Sequence, residues 1–197
     1  MLKSDIIDFF NKLAPQWDAD MIRNDGIINT ILDNAEVKYG STVLDVACGT
    51  GVLFPDYLKR DVKKLVGIDI SPIMTDIAVG KFDGNQKVCV ITGDAETVAF
   101  EDKFDCIVIY NAFPHFPDPE NLIRHLTSLL ALNGTLTVAH GMSRKMLDNH
   151  HSKTASKVSV GLPSESELSA LFSKYLDVYT TISDDKMYQV AGRKKKV

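Results

Sequence analysis

Apolar positions recur along this chain with two different periods. Near the start, Ile6, Phe9, Phe10 and Leu13 fall at helical spacing, which predicts a helix over 4–13 with Ser4 as its N-cap and a second helix over about 24–37. Further on, short apolar runs alternate with amphipathic stretches. They predict strand 42–47, helix 52–60, strand 64–69, helix 72–81, strands 87–91 and 104–110, helix 119–131 and strand 134–140. Strands separated by helices need right-handed crossovers, and so a parallel sheet covered on both faces. The rhythm then changes. Ser164 and Glu167 stand at capping-box spacing and open a helix to about Phe172, followed by strand-like runs 175–182 and 186–192. Only Ser183, Asp184 and Asp185 separate those runs, too few residues for a crossover helix, so these last strands must be antiparallel neighbours.

Composition narrows the class. A length of 197 residues with 45% hydrophobic and 24% charged content suits one α/β domain with a sizeable core. The formal charge of -4 argues against a surface that tracks nucleic-acid phosphates, and the basic run Arg193 to Lys196 reads as a solvated tail. Cys48, Cys89 and Cys106 show no Cys-x-x-Cys spacing, which points to a reduced cytoplasmic setting rather than a disulfide framework or zinc knuckle. No stretch is apolar enough to span a bilayer, and the scattered charges of the N-terminus do not suit a leader peptide. The expected setting is the cytoplasm, with no nucleic-acid or membrane partner; a homodimer is compatible with the chain.

Candidate chemistry begins at VLDVACGTG, residues 43–51, a buried strand that runs into a glycine loop. Gly49 and Gly51 permit a tight turn and close ligand approach, but Phe54 stands where a dinucleotide fingerprint wants its third glycine. The loop therefore need not serve a pyrophosphate. Three carboxylates fall at strand ends. Asp45 enters the loop; Asp69 ends VGID, about twenty residues on, where it can accept both hydroxyls of a ribose; Asp94, in ITGDAE, can accept from an exocyclic amine. Any one of them could be a turn-forming Asp bonded to its own backbone. Three in consecutive units outline a nucleoside site.

VLDVACGTG, VGIDIS, GDAETVAF and FDCIVIYNAFPHF, in this order and spacing, resemble the class I S-adenosylmethionine-dependent methyltransferases, in particular their UbiE-like, small-molecule branch. The likeness implies a Rossmann-like α/β fold, with a seven-stranded, mostly parallel sheet of order 3-2-1-4-5-7-6 and the last strand antiparallel. It implies a single domain in four parts: an N-terminal helical cap over 1–40, a cofactor-binding core over 41–140, a substrate cap over 141–162, and a helix with the terminal hairpin over 163–197. S-adenosyl-L-methionine would be the cofactor, S-adenosyl-L-homocysteine its product, and a small molecule the methyl acceptor. Carried onto this chain, the likeness places Asp45, Ala47, Gly49 and Gly51 along the methionine part, Asp69 and Ile70 at the ribose, and Asp94 and Ala95 at adenine. Asn111 and Ala112 would flank the reacting methyl. FFNKLAPQWD is similar to the stretch that folds over the cofactor in this branch, which makes Trp17 either an aromatic lid or a core residue. Cys48 is read as packing.

His115 follows the fourth strand and His140 closes the fifth, so both are candidates for a base facing the acceptor. The bland alternatives are that His115 packs between Phe113 and Phe116 and that His140 bonds backbone. In HGMSRKMLDNHH, Arg144 and His150 are candidate substrate contacts within a cap. A metal site from His115, His140 and one of His150 or His151 is a weaker reading, because adjacent helical residues point about 100° apart; no metal is expected. His125 reads as a partly exposed helix residue. Two other functions stay open on sequence alone: a nicotinamide-dependent oxidoreductase, against which Phe54 and the terminal hairpin weigh, and a non-catalytic domain that binds a nucleoside cofactor.

Overall fold

The computed structural model describes residues 1–147 and 157–196. In chain order its α-helices include α1 (Lys3–Leu13), α2 (Asp25–Asn34), α3 (Phe54–Lys59), α4 (Pro72–Phe82), α5 (Pro119–Leu129) and α6 (Glu165–Phe172). The strands are β1 (Thr42–Val46), β2 (Lys64–Asp69), β3 (Val88–Thr92), β4 (Phe104–Tyr110), β5 (Leu130–His140), β6 (Leu176–Ser183) and β7 (Tyr188–Lys194). They form one sheet of order β3-β2-β1-β4-β5-β7-β6. Every pair from β3 to β5 is parallel, and β7 runs antiparallel to both its neighbours, β5 and β6. This is the expected fold.

Local chemistry accounts for most element ends. Asn24, Ser71 and Asp118 each accept a backbone N–H at the start of α2, α4 and α5, and Ser164 with Glu167 forms the reciprocal capping box of α6. Ser4 does not cap α1: the helix starts one residue earlier, at Lys3, with Leu2 in the cap position and no side-chain cap. Two apolar layers cover the sheet. On one face Leu44, Val46, Ile107 and Ile109 pack against Leu122, Ile123 and Leu126 of α5; on the other, Val43, Leu65 and Val108 pack against Ile28 and Leu32 of α2 and Phe54 and Tyr57 of α3.

Phe54 shows how the fold manages without a third glycine. A Cβ on Gly67 in β2 would lie 2.4 Å from Phe54 Cζ and 2.8 Å from Cys48 Sγ. Close helix–strand packing is thus kept by moving the missing side chain from the helix to the strand. The fifth strand also departs from expectation. The expected strand spans 134–140 after a helix to 131, yet β5 begins at Leu130; Asn133 takes a left-handed φ of 62° and the register with β4 shifts between Phe104 and Cys106. A bulge inside one strand has replaced the expected break.

Candidate functional site

Sheet order reverses at β1 and β4, and beyond the carboxyl ends of β1, β2 and β4 lies a cavity of about 1150 Å³, counting its open mouth. Asp45, Ala47, Gly49, Asp69, Ile70, Asp94, Ala95, Asn111 and Ala112 all line it. Gly51 does not. With a φ of 79° it turns the chain into α3, and a Cβ there would lie 2.9 Å from Phe82 Cε2, so its role is packing of the loop.

The glycine loop is held by its neighbour strand. Asp69 Oδ2 accepts the Gly49 N–H at 2.9 Å and Oδ1 accepts that of Ser71, also at 2.9 Å. Ala47, at φ 54°, adopts the left-handed backbone that Gly49 also uses, a conformation that costs an alanine roughly 1 to 2 kcal/mol. That cost persists because β1 and the Asp69 bond fix the residues on both sides. Across the cavity Asn111 is also left-handed, and its side-chain oxygen accepts the Gly141 N–H at 2.9 Å, tying the ends of β4 and β5 together.

Electrostatics at the cavity floor are unbalanced. Burial pushes the Asp45 carboxyl well above the usual carboxylate range; the Asp69 carboxylate adds to the shift and the Tyr57 hydroxyl opposes it. Burial also raises Asp69, opposed by the backbone N–H groups of Ser71, Gly49 and Ile70. A cationic ligand reverses such a shift, whereas phosphate would add to the repulsion. Acids at the strand ends and apolar walls from Ile68, Ile70 and Met74 therefore fit a nucleoside joined to a positively charged group.

Over the mouth lies an aromatic row. The Trp17 ring packs edge-on to Phe10 at 5.9 Å, and Phe10 packs on His115 at 5.0 Å. Trp17 Nε1 lies 3.8 Å from where a Gly49 Cβ would stand, so the ring covers the glycine loop in the position of a lid. The same segment is tied down by Asp18, which accepts from Thr50 at 2.5 Å and from Lys81 at 2.7 Å.

His115 lines the cavity, with Nδ1 2.6 Å from the Val158 carbonyl oxygen. A carbonyl only accepts, so Nδ1 carries a proton. His140 corrects an expectation. It is fully buried, does not line the cavity, pairs across the sheet with Tyr188, and packs its ring edge-on to that tyrosine at 6.1 Å. Because β7 lies directly beside β5, the end of β5 is sealed rather than open. Arg144 is likewise outside the cavity, half-buried, and donates to the Leu162 carbonyl at 3.2 Å. His150 and His151 lie outside the described residues, and among the described residues no group of His, Cys, Asp or Glu could hold a metal. Cys48 is buried as packing, its thiol pushed well up by burial first and then by Asp45 and Asp69. His125 is half-buried and its Nε2 lies 2.8 Å from the Val98 carbonyl oxygen, joining α5 to the loop after Asp94.

Several cavity residues escaped sequence reasoning. Lys3 bridges Asp94 and the buried Glu96. Arg23 lines the wall while donating to the Val52 carbonyl at 2.9 Å and pairing with Asp56 at 2.5 Å. Tyr110 lines it too, and Met21, Ile22, Phe116 and Pro117 form an apolar rim in which Ile22 is 99% exposed. The one sequence signal was Lys3 itself, a cation in the first turn of a helix, where the dipole disfavours it.

Comparison with known proteins agrees with this geometry. A family model described as a methyltransferase domain matches residues 43–134. Malonyl-[acyl-carrier protein] O-methyltransferase 1 of Ilyobacter polytropus is 35% identical over 95 residues, covering 48% of this chain and 35% of that protein. The probable ribosomal RNA small subunit methyltransferase A of Methanosarcina mazei is 28% identical over 103 residues, covering 52% of this chain and 37% of that one. The chain thus spans little more than a third of the length of these two curated relatives. In fold, it is similar to a methyltransferase solved in complex with the Haloferax volcanii Trm112 activator, with a TM-score of 0.77 at 17% identity, covering 95% of this chain and 98% of that one. Among the described residues no helix is long and apolar enough to cross a membrane.

Proposed function

We propose that the chain is a class I S-adenosylmethionine-dependent methyltransferase and that it moves the methyl group of S-adenosylmethionine to a small-molecule acceptor seated beside His115. The observation that carries this reading is the pair of buried carboxylates, Asp45 and Asp69, under a glycine loop roofed by Trp17. Such a floor rewards a cation. Bound there, the cofactor supplies a methyl group activated by sulfonium.

Each lining residue has a task in this reading. Asp69 holds the loop and accepts from ribose; Asp94 and Ala95 receive adenine; Asp45 faces the ammonium end of the methionine part, with Arg23 on the nearby wall for its carboxylate. Asn111 and Ala112 border the reacting methyl group, and Trp17 shields it from water. Methyl transfer is an in-line displacement, so positioning contributes most, on the order of 7 to 11 kcal/mol in well-oriented systems. His115, which lines the cavity, takes the acceptor's proton, a step worth about 10² to 10⁴ in rate for an alcohol or phenol and little for a thiolate. The apolar rim of Met21, Ile22, Phe116 and Pro117 suits an acceptor with an apolar body, and the net charge of -4 disfavours RNA.

A transfer assay with labelled cofactor tests this. Small phenols, carboxylic acids and thiols are offered beside ribosomal RNA and a carrier protein; methylation of a small molecule is the expected result. Transfer to RNA or protein alone would overturn the small-molecule reading.

A further inference from the structure

Lys3 joins two carboxylates at the adenine end of the cavity. Its ammonium pairs with Asp94 Oδ2 and, at 2.5 Å, with Glu96 Oε2. The other Asp94 oxygen accepts the Glu96 N–H at 3.0 Å, so both Asp94 oxygens already hold a donor from the protein. Glu96 is buried, with a side chain only 4% exposed, while that of Lys3 is 40% exposed on a flexible stem. Nothing in α1 itself favours a cation at Lys3, since the first turn of a helix repels positive charge and this turn has no side-chain cap. The lysine is held from outside its helix. Beyond it, α1 carries Phe10 and leads straight to Trp17, and Asn11 contacts the Ser71 hydroxyl at 2.7 Å. The lysine therefore links the adenine acceptor to the aromatic roof.

On the premise that adenine is received at Asp94, we infer that Lys3 is an exchangeable latch. An entering exocyclic amine takes the lysine's place on Asp94 Oδ2, Lys3 shifts wholly onto Glu96, and α1 re-seats with the roof it carries. Glu96 thereby acts as a positioning residue, which keeps the displaced ammonium paired. Without Glu96 the amine would have to strand a cation in a half-buried place, or forgo Asp94. The latch also discriminates. A 6-oxo purine offers no amine to Asp94 and has no means of moving Lys3.

The test is a double-mutant cycle on binding. Dissociation constants for S-adenosylhomocysteine are measured by calorimetry on the full chain and on Glu96→Gln, Lys3→Met and the double variant. Melting curves verify that each is folded, and emission of Trp17, the single tryptophan, follows the roof. Glu96→Gln should weaken binding about fivefold, the size of a partly exposed ion pair, and should change affinity less than twofold once Lys3 is Met. With S-inosylhomocysteine, which carries oxygen in place of the amine, Glu96→Gln should have no effect and the Trp17 emission change should be lost. Equal effects of Glu96→Gln in both lysine backgrounds, or an unchanged affinity, would overturn the latch. Failure of the unmodified chain to bind S-adenosylhomocysteine at all would instead remove the premise.

Discussion

Two ends of one edge of the sheet behave in opposite ways. Near the ends of β1 and β2, Asp45 and Asp69 are polar, buried and line the cavity. At β5 the last residue, His140, is just as polar and buried, but it packs on Tyr188 and is not among the residues that line this cavity. Position at the carboxyl end of a strand is therefore not enough. Where neighbouring crossovers leave to opposite faces of the sheet, as at β1 and β4, the strand ends stand open; where an antiparallel strand returns alongside, as β7 does, it covers the end and turns a candidate base into a core residue.

The sharpest way to break this contrast is to remove each histidine. His115→Ala should lower kcat by about 10² or more while changing the dissociation constant of S-adenosylhomocysteine less than twofold. A variant with full turnover would reduce the ring to packing between Phe10 and the Val158 carbonyl. His140→Ala should do the reverse. It leaves a hole beside Tyr188 and should lower unfolding stability by about 2 to 4 kcal/mol, with kcat per folded molecule preserved; a selective loss of turnover in stable protein would return His140 to the chemistry.

On the open side the next effect in size is that of Asp69→Ala. Two backbone N–H groups, of Gly49 and Ser71, would lose their acceptor, so cofactor affinity should fall by about 1 to 3 kcal/mol. Calorimetry that found wild-type affinity would take Asp69 out of the site. Asp45→Asn should give a smaller effect, of opposite sign on stability. Burial holds the Asp45 pKa above its unfolded value, so its favourable contribution is complete below the ordinary carboxylate range and is lost as pH rises through the folded pKa. At neutral pH the amide variant should melt a few degrees higher, about 2 to 4 °C for each 1 kcal/mol relieved in a chain of this size. The gain should vanish in acid below the ordinary carboxylate range, and the same variant should bind the cationic cofactor less well. A melting temperature unchanged at every pH would show that Asp45 bears no such strain.

Much of this was legible in the sequence, for identifiable reasons. Helical and strand periods, the capping box at Ser164 and the short link after Ser183 are local properties, and they led to the right elements, with the cap of α1 and the start of β5 misplaced. The placement of Gly49, Asp45, Asp69 and Asp94 around one cavity was legible because strand ends and their loops are fixed by the same local pattern. Gly51 stands off the cavity lining, since a left-handed glycine serves packing against Phe82 as readily as ligand approach. Gly67, Lys3, Glu96 and Arg23 were not legible, since their partners Phe54, Asp94 and Asp56 are distant in the chain or meet only through a third element. His140 failed for the same reason: its fate depends on Tyr188, placed opposite it by the return of β7.

One measurement bears most directly on the central claim that the crevice beyond β1 and β2 holds an adenosine joined to a cationic amino acid. Calorimetric titration of the full chain with S-adenosylhomocysteine, repeated in saturating NADH and with Asp69→Ala, should give one site per chain, no competition from NADH, and weakened binding in the variant. Displacement of the nucleoside compound by NADH, or equal binding to the Asp69 variant, would contradict it.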